Sequence, residues 1–84
     1  MLFRSLGGGL ACFDLDHVTD EQARSFIESV SLPVVFVERS VSGKGVHVFV
    51  RAAEQPGSRR VVDGVSVEFY SRQRLIRVTG RRFT

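Results

Sequence analysis

The chain predicts an α+β fold. Its strands run in the order β-α-β-β-(loop)-β-β, with one helix or two packed on one face of a mainly antiparallel sheet. Three observations predict this. Leu10–Asp16, Val34–Arg39, Val46–Arg51, Val65–Tyr70 and Leu75–Thr79 are β-branched runs or alternate apolar with polar residues. The segment after Thr19 instead repeats its apolar residues at helical spacing, with Ala23, Phe26, Ile27 and Val30 at i, i+3, i+4 and i+7. Turn-forming residues separate the runs, among them Gly43, Gly45, Pro56-Gly57 and Asp63-Gly64.

Each element has a local reason. Gly7-Gly8-Gly9 closes a stretch, residues 1–9, read as a flexible N-terminal lead-in. In Leu10–Asp16, the side chains of Ala11, Phe13 and Leu15 point one way, and Leu10, Cys12, Asp14 and Asp16 the other. Thr19-x-x-Gln22 is a capping box, Asp20 and Glu21 suit the positive end of the helix dipole, and Pro33 ends the helical pattern. Val34–Arg39 and Val46–Arg51 flank a Ser/Gly-rich spacer that reads as a hairpin or a wider functional loop. Ala52–Arg60 reads as a loop or a short helix. Asp63-Gly64 is a tight-turn signal before Val65–Tyr70, and Ser71–Arg74 turns the chain into its last strand.

Composition narrows the function classes. Eighty-four residues, 43% hydrophobic and 25% charged, suit one globular domain over 1–84. No apolar run is long enough to span a membrane, and the N-terminus lacks a signal-peptide core, so no membrane partner is expected. A lone cysteine, Cys12, excludes an internal disulfide and suits a reducing compartment, so a cytoplasmic location is expected. The net charge of +3 is unevenly placed. Residues 1–50 carry four basic side chains against six acidic ones, whereas residues 51–84 carry eight arginines against Glu54, Asp63 and Glu68. Arginine is the side chain best shaped for phosphate contacts, although a solvated arginine surface has the same composition.

Asp14 and Asp16 lie two apart on one strand, so both carboxylates leave the same face with Cα atoms about 6.6 Å apart. Two like charges so placed call for a hard cation such as Mg²⁺ or Mn²⁺; the alternative is that they cap the strand end in solvent. Glu68 shares its side of Val65–Tyr70 with Ser66 and Tyr70, and His47 stands opposite Val46, Val48 and Val50. Three strands thus each offer an acid or a histidine to what is expected to be a shared face. Ser42-Gly43-Lys44-Gly45 leads into the strand of His47. It is no Walker A loop, which requires a glycine where this chain has Glu38, but small residues beside a lysine let backbone N–H groups approach a phosphate. A plain glycine turn is the other reading.

Four blocks in order carry a resemblance: Phe13-Asp14-Leu15-Asp16-His17, then Glu38-Arg39-Ser40-Val41-Ser42-Gly43-Lys44-Gly45-Val46-His47, then Val67-Glu68-Phe69-Tyr70, then Arg74-Leu75-Ile76-Arg77-Val78-Thr79-Gly80. The arrangement resembles the archaeo-eukaryotic primase superfamily, and most closely the bifunctional DNA primase/polymerase domains of phages and plasmids. The resemblance implies an RNA-recognition-motif-like catalytic module. It implies that Asp14, Asp16 and Glu68 bind two catalytic Mg²⁺ or Mn²⁺ ions. It implies nucleotide contacts from His47, Ser42 and Lys44, with Gly43 and Gly45 in the same loop, and a further phosphate contact from Arg74 or Arg77. Full domains of that family carry an additional N-terminal module and continue past the threonine–glycine block. The resemblance therefore implies a truncated or minimal version, whose remaining surface comes from a partner or a second copy.

The expected activity is that of a metal-dependent nucleotidyltransferase core, making or extending primers from nucleoside triphosphates on single-stranded DNA. Arg59, Arg60, Arg72, Arg81 and Arg82 are the expected template contacts, and a helicase or other replication protein is an expected partner, in a bacterial host if phage- or plasmid-encoded. Two other readings use the same residues. One is a primase-derived module that binds nucleic acid or nucleotide, or regulates, without catalysis; the other is a two-metal nuclease.

Overall fold

The computed structural model describes residues 2–83. Its elements are β1 (Leu2–Ser5), β2 (Leu10–Asp16), α1 (Asp20–Ser29), β3 (Val34–Arg39), β4 (Val46–Arg51), β5 (Ser58–Val62), β6 (Val65–Tyr70) and β7 (Leu75–Val78). Five strands form one antiparallel sheet in the order β3-β4-β2-β6-β5, and β1 and β7 form a separate antiparallel pair. Because β4 pairs antiparallel with both β2 and β3, those two run parallel with β4 inserted between them. This is the split β-α-β arrangement of an RNA-recognition-motif-like α+β module, with α1 as its crossover.

The helix begins where its cap dictates. The Thr19 hydroxyl accepts from the Gln22 N–H at 3.1 Å, and the Gln22 side chain accepts from the Thr19 N–H at 2.9 Å. Thr19→Ala is expected to lower stability by about 1 kcal/mol, read from chemical denaturation, because it strips one orphan N–H of its partner. The Ala23 and Phe26 side chains bury against the sheet. Phe13 is the centre of that layer, its ring 5.2 Å from Phe26 and 4.7 Å from Phe69. Ala11, Leu15, Val46, Val48, Val50, Val65 and Val67 complete it, all from the sides of their strands that alternation assigns to the core.

Three expectations are corrected. Residues 1–9 were expected to be a flexible lead-in; residue 1 lies outside the described residues, but Leu2–Ser5 is a strand, in register with Leu75–Val78. Leu6 and Ile76 bury with Cys12 and Phe49 on the side of the sheet opposite the helix, and that second apolar cluster holds the segment down. Ala52–Arg60 was expected to be a loop or short helix; its end instead begins β5, because Ser58–Val62 finds β6 across an Asp63-Gly64 turn. Both turn residues have left-handed φ, 49° and 79°, as a two-residue hairpin of type I′ requires. The last strand stops at Val78, one residue before its expected end, because the Thr79 N–H is drawn to a side chain on β3.

Among the described residues, no helix is long and apolar enough to cross a membrane.

Candidate functional site

The strand register lines up one residue from each of the five strands. Glu38 on β3 stands opposite His47 on β4, His47 opposite Asp14 on β2, Asp14 opposite Glu68 on β6, and Glu68 opposite Arg59 on β5. Directly opposed residues of an antiparallel pair project to the same side, about 5 Å apart at Cβ. The result is a transverse row, acid–histidine–acid–acid–arginine, on the face away from the helix.

The row borders an open groove of about 370 Å³ lined by Asp14, Asp16, His47, Glu68, Arg74 and Arg77, with Ser40, Val41, Ser42, Leu75 and Ile76 completing it. Strands β2, β4 and β6 thus bring together the four residues expected to converge. The turn after Tyr70 adds Arg74, whose guanidinium lies 4.2 Å over the Tyr70 ring.

Charge in the row is only partly balanced. His47 Nε2 lies 3.7 Å from the Asp14 carboxylate, which keeps about a third of its side-chain surface exposed at 31%. Burial, and then the nearby Glu68 and Asp16 carboxylates, push the Asp14 carboxyl above its ordinary range against the opposing pull of His47 and Arg74. Glu68 shifts the other way. The Tyr70 hydroxyl donates a hydrogen bond to it and Arg59 pairs with it at 3.2 Å, which together hold it below the usual carboxylate range. Burial first, then Asp14 and Glu38, push the Cys12 thiol far up, so Cys12 is a packing residue beneath the row. Asp16, at the solvent end, contacts His17 Nδ1 at 3.0 Å.

Whether this donor set suits a divalent cation is answered by Asp14. A half-buried carboxylate beside two others is the environment that a hard oxygen-seeking ion relieves. Among the described residues, no three Asp, Glu, His or Cys side chains already stand close enough to share one ion. Glu68 instead engages Tyr70 and Arg59. Asp14 and Asp16 line the groove together and are the side chains that could hold a cation there, while Glu68 is engaged by Tyr70 and Arg59.

The glycine loop matches the second of its two readings, a plain turn. Ser42 lines the groove, but Gly43, Lys44 and Gly45 do not. Their N–H groups serve the loop itself: Gly43 donates to the Ser40 carbonyl, Lys44 to the Ser42 hydroxyl and Gly45 to the Ser40 hydroxyl. A phosphate cradle of backbone N–H groups is therefore not formed here. Gly45 is required for another reason. A Cβ there would sit 2.6 Å from the Leu15 carbonyl oxygen and 3.1 Å from Ser40 Oγ. Gly45→Ala is expected to cost about 1–3 kcal/mol in urea unfolding, as overpacking against backbone does.

The expected template arginines separate. Arg59 belongs to the row. Arg60, one residue on, falls on the helix side beside Phe13, Leu32 and Phe69. Arg81 uses its guanidinium on the Ser40 and Val41 carbonyls at 2.6 and 2.7 Å, tying the C-terminal segment to the loop. Arg72 is exposed in the turn before β7, and Arg82 is exposed where the backbone bridges Glu38.

Glu38 is the residue that sequence reasoning missed. It is wholly buried at 0% exposure and accepts hydrogen bonds from the Thr79 and Gly80 N–H groups at 3.1–3.2 Å, with His47 Nδ1 at 2.9 Å. The signal was its parity: an acid directly after Val34-Val35-Phe36-Val37, paired in register with His47 of the next strand.

Comparison with family models, curated proteins and solved structures finds no match. The fold and the groove define a small antiparallel α+β module with an acidic row flanked by arginines.

Proposed function

We propose that this chain is the metal-dependent nucleotidyltransferase core of a DNA primase/polymerase, acting on nucleoside triphosphates and a single-stranded DNA template. The observation that carries the reading is the transverse row: His47, Asp14 and Glu68 side by side on three adjacent strands, with Arg74 and Arg77 lining the same groove. Asp14 and Asp16, with Glu68, would hold Mg²⁺ or Mn²⁺. When bound, the ions supply charge stabilisation for the attacking and leaving oxygens of an in-line phosphoryl displacement. His47 and the two arginines face the triphosphate and offset the charge that moves onto the departing pyrophosphate, an electrostatic role. Tyr70 braces Glu68 from its own strand and carries Arg74 on its ring.

The test is primer synthesis or extension on single-stranded DNA with Mn²⁺ and labelled nucleotides. Labelled product that depends on Asp14 supports the reading; its absence from well-folded protein overturns it. The engagement of Glu68 by Tyr70 and Arg59 favours one alternative, a nucleotide- or nucleic-acid-binding module without turnover. That alternative expects nucleotide binding that Asp14→Asn leaves unchanged. Shortened DNA in the same assay would mark a two-metal nuclease.

A further inference from the structure

We infer that Glu38 is a positioning residue that holds His47 by its Nδ1–H and so presents Nε2 to Asp14 and the groove; this rests on the nucleotidyltransferase reading for its consequence, but not for its geometry. An acid buried to 0% exposure on an edge strand, between β4 and the C-terminal segment, needs partners, and Glu38 has them from both. Gly80 N–H donates to Oε1 at 3.1 Å, and Thr79 N–H lies 3.2 Å from both oxygens. A carboxylate already accepting from two backbone N–H groups is an acceptor for its third neighbour as well, so the proton on the His47 side of the 2.9 Å contact belongs to Nδ1. The opposite ring nitrogen, Nε2, then faces the Asp14 carboxylate at 3.7 Å and the open groove. The ring cannot turn over without leaving Glu38 one partner short in a fully buried place.

The same contacts assign a task to Thr79-Gly80, which sequence reasoning placed among the closing motif without a mechanism. Gly80 takes a left-handed φ of 71°. The Thr79 hydroxyl donates to the Arg39 carbonyl at 2.6 Å, and Arg39 N–H donates to the Arg81 carbonyl at 2.7 Å. The segment therefore lies along the free edge of β3 and aims its two N–H groups at Glu38. Carboxylate partners of functional histidines commonly set tautomer and ring orientation in this way.

The test is ¹⁵N NMR of the His47 imidazole in the full chain, with Glu38→Gln as the variant. In the wild type Nδ1 should carry a proton whether the ring is neutral or charged; a neutral ring protonated at Nε2 overturns the proposal without need of any variant. In Glu38→Gln the amide offers an N–H to the ring, so the neutral tautomer should switch to Nε2–H while the backbone amide spectrum stays that of a folded chain. An unchanged imidazole spectrum overturns the proposal. Nucleotide affinity, probed with dATP and Mn²⁺, should fall in the folded variant, by about 10–100-fold if the ring depends on this carboxylate as metal-bound histidines do on theirs. Unchanged affinity overturns the functional half of the proposal. If wild-type protein binds no nucleotide, the functional reading fails, and the nitrogen spectra alone decide the role of Glu38.

Discussion

Asp14→Asn is expected to abolish the proposed primer synthesis and yet make the metal-free protein more stable at pH 7. The loss follows from removing the central carboxylate of the row: several kcal/mol of charge stabilisation leave with the cation it would hold, about 10²–10³-fold or more in rate. The gain follows from the environment of the carboxyl. Burial, with Glu68 and Asp16 nearby, raises its pKa in the folded chain above the ordinary 3.8. A carboxyl raised on folding favours the native state while protonated. Its contribution is complete below pH 3.8 and is lost as the pH climbs through the folded value. At pH 7 the ionised side chain opposes folding, and asparagine removes that opposition. Thermal unfolding without divalent ions should show the variant with the higher Tm. The difference should shrink on acidification. Added Mn²⁺ should raise the wild-type Tm but not that of the variant, because only the wild type gains by binding. A variant less stable than wild type at pH 7, or equally shifted by Mn²⁺, would refute this account of the row.

The neighbouring residue should behave in the opposite sense. Phe13→Ala is expected to lower stability by about 3–5 kcal/mol, much of what a small domain has. Its ring is buried between Phe26 of the helix and Phe69 of β6, so truncation leaves a cavity between two layers that cannot close without moving the helix. Denaturant titration should show the midpoint collapse with little change in slope, or an unfolded chain at 25 °C. A loss under 1 kcal/mol would mean the aromatic layer is not the centre of the core. One bond apart on β2, Phe13 and Asp14 separate stability from chemistry by facing opposite sides of the sheet.

That division was legible in the alternation of the strands. Leu10–Asp16, Val46–Arg51 and Val65–Tyr70 carry period-two patterns whose bounds and inward faces agree with the structure, and Val34–Arg39, read as a β-branched run, has the expected bounds without alternating burial. The capping box over Thr19 and Gln22 placed the helix start for the same reason: its cause lies within four residues. Strands β1 and β5 were not legible. Leu2–Ser5 is too short for a pattern and is a strand only because β7 lies beside it, and Ser58–Val62 opens on Ser-Arg-Arg at a sheet edge where polar residues are tolerated.

For the site, residue type and parity sufficed to nominate Asp14, Asp16, His47 and Glu68, because each is a polar interruption on one side of a strand. Sequence also determined that the second half of the chain would be rich in arginine. Only tertiary structure decided where each arginine lies: Arg74 and Arg77 both line the groove, Arg59 closes the row, Arg60 faces the helix side, and Arg81 anchors a loop. Sequence left a phosphate cradle and a plain turn both open for the glycine loop, and it could not foresee that Glu38, nine residues from His47 and forty-one from Thr79, joins both. Pattern along a chain reports which way a side chain points, a local property of the backbone. Which side chains meet depends on strand order and register, and these are set by burying all the strands together.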